Sequence, residues 1–290
     1  MASERQVTVI IPARNEAQAV GEVVRHVAKT MKAATPPWEC TILVVDDGSS
    51  DDTATVAASA GAQVLPMGSP CGYGAAVKRG LREAQTEFLC LLDADGSYPA
   101  AALLPLLEAL EAGAEQAVGA RVAAGAQVPV VRRPAKWLVT KFAELLLGKP
   151  VPDLNSGMRA LRRSRVMPIA RLLPEGFSLT TTLTVAGLLD GWSMAWVPIE
   201  YRKRVGRSKF RAVADTLRLL LSLVRGVVYF DPLRFFLPVS LGLGVWALAF
   251  GLWDVFWEQN LTDKTVLVSL SALEVFVLGL LADLVVCTRR

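Results

Sequence analysis

Two apolar stretches near the end of the chain, Leu233–Trp253 and 265–287, constrain its architecture more than any other feature. Each matches the ~20 residues that an α-helix needs to cross a bilayer. The first carries only Arg234 and the second only Glu274 and Asp283 as charged residues. Arg218 and Arg225 precede the pair, Arg234 stands at its very start and Arg289 and Arg290 follow it, while the intervening loop holds Asp254, Glu258 and Asp263 against Lys264. Basic flanks stay on the cytoplasmic side, so both termini are expected inside, with Trp253 and Trp257 at the outer interface. Glu274 and Asp283 are costly against lipid. They are expected to pair across a homo-oligomer of these spans or to face a polar cavity, and Asp283 alternatively sits at the inner headgroups.

The chain has 290 residues, 52% of them hydrophobic, and the apolar excess begins near residue 212. Three units follow: a globular region 1–211, an amphipathic segment 212–230 and a two-span region 231–290. In the middle unit Arg218 and Arg225 share one helical face, which suits a helix lying in the membrane interface; the alternative is a helix packed on the globular region. The net charge is +4, with basic residues concentrated at 202–225 beside the apolar tail. Such a segment faces anionic membrane lipid, and without a module of interleaved basic and aromatic residues no nucleic-acid partner is expected. Cys40, Cys71, Cys90 and Cys287 lack paired spacing and read as small buried hydrophobes. Ser3-Glu4-Arg5-Gln6 leads straight into an apolar run, so no signal peptide is expected and the globular region is placed in the cytoplasm.

Within 1–211, short β-branched or apolar runs alternate with helical periodicity. Strands are expected at 7–11, 41–45, 64–65, 88–92, 116–120 and 194–197. Helices are expected at 17–32, after 53, and at 74–84, 100–112, 135–147 and 179–189. This alternation predicts an α/β fold around a doubly wound, mostly parallel sheet. Ligands of such sheets bind beyond the carboxyl ends of the strands, where Pro12 to Glu16, Asp46 to Asp52 and Asp93 to Ser97 all fall. Asp93 and Asp95, at i and i+2, would project to one side of extended chain. Two such carboxylates suit a hard divalent cation that shares its remaining positions with substrate phosphates.

Taken together, Ile11-Pro12-Ala13-Arg14-Asn15-Glu16, Val45-Asp46-Asp47-Gly48-Ser49-Ser50-Asp51, Gly72-Tyr73-Gly74-Ala75 and Leu92-Asp93-Ala94-Asp95-Gly96 resemble glycosyltransferase family 2. Asn155-Ser156-Gly157-Met158-Arg159, Gly206-Arg207-Ser208-Lys209 and the two spans narrow the resemblance to the polyprenyl-phosphate hexosyltransferases. The resemblance implies a GT-A (Rossmann-like) domain. It also implies inverting transfer of a hexose from a nucleotide-sugar donor, GDP-mannose or UDP-glucose, to dolichyl or undecaprenyl phosphate. Alternative readings are a family 2 enzyme acting on a lipid-linked glycan or surface polysaccharide, and an inactive membrane scaffold.

By the same resemblance Pro12, Ala13, Arg14 and Glu16 line the nucleotide pocket, with Asp46 at the base or ribose. Gly72 and Gly74 allow the donor close to the backbone, or simply begin a helix. Asp93 and Asp95 hold Mg²⁺ or Mn²⁺ against the diphosphate, Asp95 as the direct ligand, while Asp93 contacts the ribose or reaches the metal through water. Asp47 and Asp51 serve the donor or cap the adjoining turn and helix. The acceptor phosphate is expected to meet Ser156 and a set of cations: Arg121, Arg132, Arg133, Arg204 and Lys209. Arg202, Lys203 and Arg207 read as solvated or headgroup-facing. Asp153 orients the acceptor, acts as a base, or pairs with Arg159. Ser97 stands where mannosyltransferases of this kind often have Gln, which leaves the donor sugar open. His26 lies on the first helix and reads as structural.

Overall fold

The computed structural model describes residues 5–122, 133–176, 178–201 and 212–288. Seven strands form one sheet: β1 (Gln6–Ala13), β2 (Glu39–Asp46), β3 (Gln63–Pro66), β4 (Phe88–Leu91), β5 (Gln116–Ala120), β6 (Arg159–Arg162) and β7 (Met194–Pro198), in the order β3-β2-β1-β4-β6-β5-β7. β1 to β4 pair in parallel, as do β5 and β7. The sheet is thus the mostly parallel one expected, with one exception: β6 runs antiparallel to both β4 and β5.

β1 is a nearly continuous apolar run because helices cover both of its faces. Val7, Val9 and Ile11 pack against Val20, Val24, Val27 and Met31 of α1 (Val20–Ala33), and Ile10 packs on the other side with Val77 and Leu81 of α3 (Tyr73–Glu83). α2 (Thr53–Ser59) and α4 (Leu103–Glu111) complete the first half of the fold. Ala13 pairs with Asp46, and Asp46 with Pro66, so the polar ends of β1 and β2 share one rim.

β6 is absent from the sequence-based expectation, as is the following α6 (Arg163–Ile169). An arginine at each end of a four-residue strand obscures its apolar character. In the fold these charges meet carbonyls: Arg162 donates to Leu110 O at 2.7 Å and Ala114 O at 3.1 Å, and Arg159 donates to Ser156 O. The register pairs Arg159 with Leu91 on one side and Val118 on the other. Entering the sheet from the rim side, β6 carries residues 153–158 between the ends of β4 and β5.

α5 (Arg133–Leu147), α7 (Leu179–Leu189) and α8 (Ala212–Phe230) share a separate apolar core built from Val139, Ala143, Val185, Leu188, Leu223 and Val227. One face of α8 is thus packed on the globular region, while Leu217, Leu221 and Tyr229 stay exposed on its remaining surface. α9 (Leu233–Trp253) and α10 (Asp263–Cys287) form a hairpin that is long and apolar enough to cross a membrane and is exposed along its length. Arg234 ties its base to the domain, donating to Leu147 O at 3.0 Å while its Nε meets Asp231 at 2.6 Å. Ser240 donates across the pair to Ala272 O at 3.0 Å. Glu274 is exposed and Asp283 partly so.

At the hairpin turn, Asp254 does more than add charge to a loop. It accepts hydrogen bonds from Thr262 N, Thr262 Oγ1 and Thr265 Oγ1 at 2.7 to 2.8 Å. Asp254→Ala would leave these three donors without their acceptor, which destabilises the turn. We expect the thermal midpoint in detergent to fall by a few degrees and proteolysis in the 254–262 turn to quicken; an unchanged midpoint would contradict this role.

Candidate active site

The rim begins where β1 and β2 end together. Asp47 N donates to Ala13 O at 2.9 Å, closing the two strand ends. Pro12 and Ala13 are buried, so of the expected nucleotide-pocket residues Arg14 is exposed at the rim and Glu16 partly so. Asn15 adopts a left-handed conformation (φ 56°), donates from its N–H to Ser49 Oγ at 3.0 Å and accepts from Ser50 N at 2.8 Å. Asp46 accepts from Ser49 N at 3.1 Å and from the Ser49 hydroxyl. The β1 and β2 loops are thus latched to each other.

Asp47 and Asp51 take the structural option. Asp47 receives Cys71 N at 2.6 Å and Gly72 N at 3.0 Å, fixing the start of α3. Asp51 receives Thr53 N at 3.1 Å, the Thr53 hydroxyl and Ala17 N at 3.2 Å. Gly74 has its own explanation: a Cβ there would lie 2.6 Å from the Glu175 carbonyl carbon. The backbone of Pro174 and Glu175 covers this turn, Glu175 O accepts from Ala75 N at 3.0 Å, and buried Lys78 donates to Leu173 O at 3.0 Å. The 173–176 backbone therefore comes close at Gly74, and Gly72 and Gly74 stand at the start of α3, the helix-start position that was the alternative to a donor role.

β4 stops at Leu91, so Asp93 and Asp95 sit in the turn beyond it and not on extended chain. Asp95 is 7% exposed and accepts from Ser97 N at 3.0 Å and Ser97 Oγ at 2.6 Å. Ser97, at the position that departs from the family pattern, thus orients one oxygen of Asp95. Asp93 accepts from the Tyr73 hydroxyl at 3.2 Å. Burial first, then the Asp93 charge, holds the Tyr73 phenol protonated well above its ordinary range. Gly157 packs flat against the same carboxylate: a Cβ there would lie 2.6 and 2.8 Å from the Asp93 oxygens. Two carboxylates in one turn form a hard donor set of the kind that a divalent cation shares with a diphosphate. No cluster of three or more His, Cys, Asp or Glu occurs among the described residues.

Arg121 follows β5 and meets residues 153–155. Its Nε donates to Asp153 Oδ2 at 2.7 Å, and Nη2 donates to Asp153 Oδ1 at 2.8 Å and Asn155 Oδ1 at 2.7 Å. Its backbone N–H also reaches Asp153 Oδ2, at 3.0 Å. Burial works against the Arg121 charge, but the Asp153 hydrogen bonds and charge outweigh it and raise its pKa. Asp153 is 1% exposed and both its oxygens accept from Arg121. Arg159 has no exposed surface; its Nε donates to Ser156 O at 3.2 Å and Nη1 to Thr184 Oγ1 at 3.4 Å. Burial lowers its pKa to about 10.

Ser156, expected at the acceptor phosphate, is also wholly buried. Its carbonyl holds Arg159, and its hydroxyl lies 3.5 Å from Met158 O. Arg132, Arg204 and Lys209, with the side chain of Arg133, lie outside the described residues. Three aromatic residues at the site have no role in the sequence reading: Tyr73, Tyr98 and Tyr201. Tyr98 Oη accepts from Gly157 N at 2.9 Å. The signal available was position alone, since Tyr98 follows Asp95 by three residues and Tyr201 precedes the basic run. His26 lies on the exposed side of α1 with Glu22 at 3.8 Å, away from the rim.

Gly157→Ala would push a methyl group into the Asp93 carboxylate. We expect activity to fall by about 10²-fold, as for a ~1 Å misplacement of a reacting group, with little change in melting temperature. Activity near wild type would show that Asp93 does not depend on this contact.

Comparison with known proteins agrees with this fold. Residues 8–167 match Glycosyl transferase family 2, and residues 231–286 match the GtrB C-terminal hairpin. The chain is 29% identical over 218 residues to a dolichyl-phosphate hexose transferase of Haloferax volcanii, covering 75% of this chain and 92% of that protein. It is 32% identical over 246 residues to a polyprenol monophosphomannose synthase of Mycolicibacterium smegmatis, covering 76% and 90%. Among solved structures, glucosyl-3-phosphoglycerate synthase from Mycobacterium tuberculosis, in complex with Mn²⁺, UDP-glucose and phosphoglyceric acid, superposes with a TM-score of 0.62. At 20% identity, over 77% of this chain and 79% of that one, it shares the fold. With its GT-A sheet, polar rim and C-terminal helical hairpin, the chain belongs to glycosyltransferase family 2.

Proposed function

We propose that this enzyme transfers a hexose from a nucleotide-sugar to a polyprenyl phosphate, by direct displacement with inversion at the anomeric carbon. The observation that carries this reading is the attachment of the transferase rim to an exposed apolar hairpin through Arg234, Leu147 and the shared core of α5, α7 and α8. An acceptor confined to the bilayer is the substrate such a frame suits. The relatives named for dolichyl-phosphate hexose and polyprenol monophosphomannose synthesis support the same acceptor class.

Asp93 and Asp95 would hold Mg²⁺ or Mn²⁺, which neutralises charge on the departing diphosphate. Arg14, Glu16 and Asp46 form the nucleotide side of the rim. Arg121 lies at the other end of the 153–157 turn from Asp93, its charge fixed in place by Asp153. A phosphate monoester with a second pKa near ~6 is already largely ionised at neutral pH, so the acceptor needs no strong base. The chain has one histidine, remote on α1, and Asp153 has both oxygens on Arg121, in keeping with chemistry that needs none. Arg132, Arg133, Arg204 and Lys209 are proposed to supply the remaining positive charge for the acceptor. The charge flanking the hairpin supports a cytoplasmic site with both termini on that side.

The test is a donor panel, GDP-mannose and UDP-glucose first, with full-length protein in nanodiscs, Mn²⁺ or Mg²⁺, and dolichyl or undecaprenyl phosphate. We expect one donor to give a lipid-phosphate hexose, and Asp95→Ala to reduce turnover by about 10²–10³-fold. Donor consumption that requires a glycan acceptor and ignores polyprenyl phosphate would overturn the reading.

A further inference from the structure

The guanidinium of Arg121 is held on more sides than a solvent-facing cation needs. Nε and Nη2 are engaged by Asp153 and Asn155, while Nη1 makes no hydrogen bond among the described residues. The face of the group lies over the ring of Tyr201, 5.4 Å from guanidinium carbon to ring centroid. Tyr201 is itself met edge-on by Tyr98, with centroids 5.2 Å apart and planes at 71°. Tyr98 in turn accepts the Gly157 N–H, and Gly157 belongs to the same 153–157 turn that grips Arg121. The contacts form a closed ring: Arg121, Tyr201, Tyr98, Gly157, and back through Asn155 and Asp153.

Tyr201 has a second distinction. It follows β7 at the rim, where Ile199 N donates to Ala120 O at 2.9 Å beside the Arg121 backbone. It also directly precedes the basic run Arg202-Lys203-Arg204-Val205-Gly206-Arg207-Ser208-Lys209. One aromatic side chain therefore touches the described acceptor-side cation and stands at the root of the basic segment.

We infer that Tyr201 is a positioning residue for the acceptor. Its ring fixes the face of the Arg121 guanidinium so that Nη1 stays directed at the acceptor phosphate. This rests on the polyprenyl-phosphate reading above. The ring matters and the hydroxyl does not, because the contacts with Arg121 and Tyr98 are both made by the ring.

Tyr201→Leu and Tyr201→Phe in the full-length enzyme in nanodiscs test this. With Leu, the KM for polyprenyl phosphate should rise about 10-fold, the size expected for losing a cation–π contact. The donor KM and the Kd for nucleoside diphosphate with Mn²⁺ should not move. Phe, which keeps the ring, should restore the acceptor KM to within about twofold. If the Leu variant does not fold, Tyr201→Met keeps apolar volume without a ring and carries the same comparison. An unchanged acceptor KM in the ring-less variant, a Phe variant as impaired as it, or donor and acceptor constants that shift together would each overturn the inference. A wild-type enzyme inert toward polyprenyl phosphate would overturn the proposed function and this inference with it. An active wild type beside an unaffected ring-less variant overturns the inference alone.

Discussion

The site depends on one strand that runs against its neighbours. Because β6 is antiparallel to β4 and β5, the chain enters it from the rim, and residues 153–158 arrive between the turn bearing Asp93 and the end of β5 bearing Arg121. The register places Arg159 opposite both Leu91 and Val118. A parallel β6 would deliver its leading segment to the opposite edge of the sheet, and Gly157 would never meet Asp93. The arrangement needs a guanidinium with no exposed surface, and removing an ion from water costs several kcal/mol. Carbonyl and hydroxyl acceptors at Ser156 and Thr184 offset part of that cost, while burial draws the Arg159 pKa down to about 10.

Much of the frame was legible in the sequence because burial leaves a pattern. β1, β2, β4 and β5 lie between layers and read as apolar runs, and α7, α8 and α9 begin and end where periodicity and composition place them. β6 was not legible, since its bounding arginines satisfy carbonyls elsewhere in the chain and no local pattern records a distant partner. The same limit applied to the site. The residue types at Asp93, Asp95, Arg121 and Asp153 pointed to charge chemistry, but pairing is a property of the fold. Asp153 found Arg121, Ser156 proved buried, and Gly74 met the 173–176 backbone.

Polar groups in the hairpin follow a related logic. Asp254 is surrounded by threonine and backbone donors at the turn, and Ser240 finds a carbonyl across the helix pair. In an apolar solvent, unpaired groups are more costly than in water, and these contacts also set how the two helices meet. Stacked Trp253 and Trp257, with centroids 4.7 Å apart, place amphipathic rings beside that turn.

The Arg234 contact with the Leu147 carbonyl has a mechanical consequence. A hairpin joined to its domain by a loose linker can tilt without disturbing the head it carries. Here the first turn of α9 is fastened to the foot of α5, which shares a core with α7 and α8. A change in the tilt of the helices would therefore have to be taken up at this contact or passed into the core of α5, α7 and α8, which would make the fit of the hairpin to bilayer thickness a matter for the domain as well.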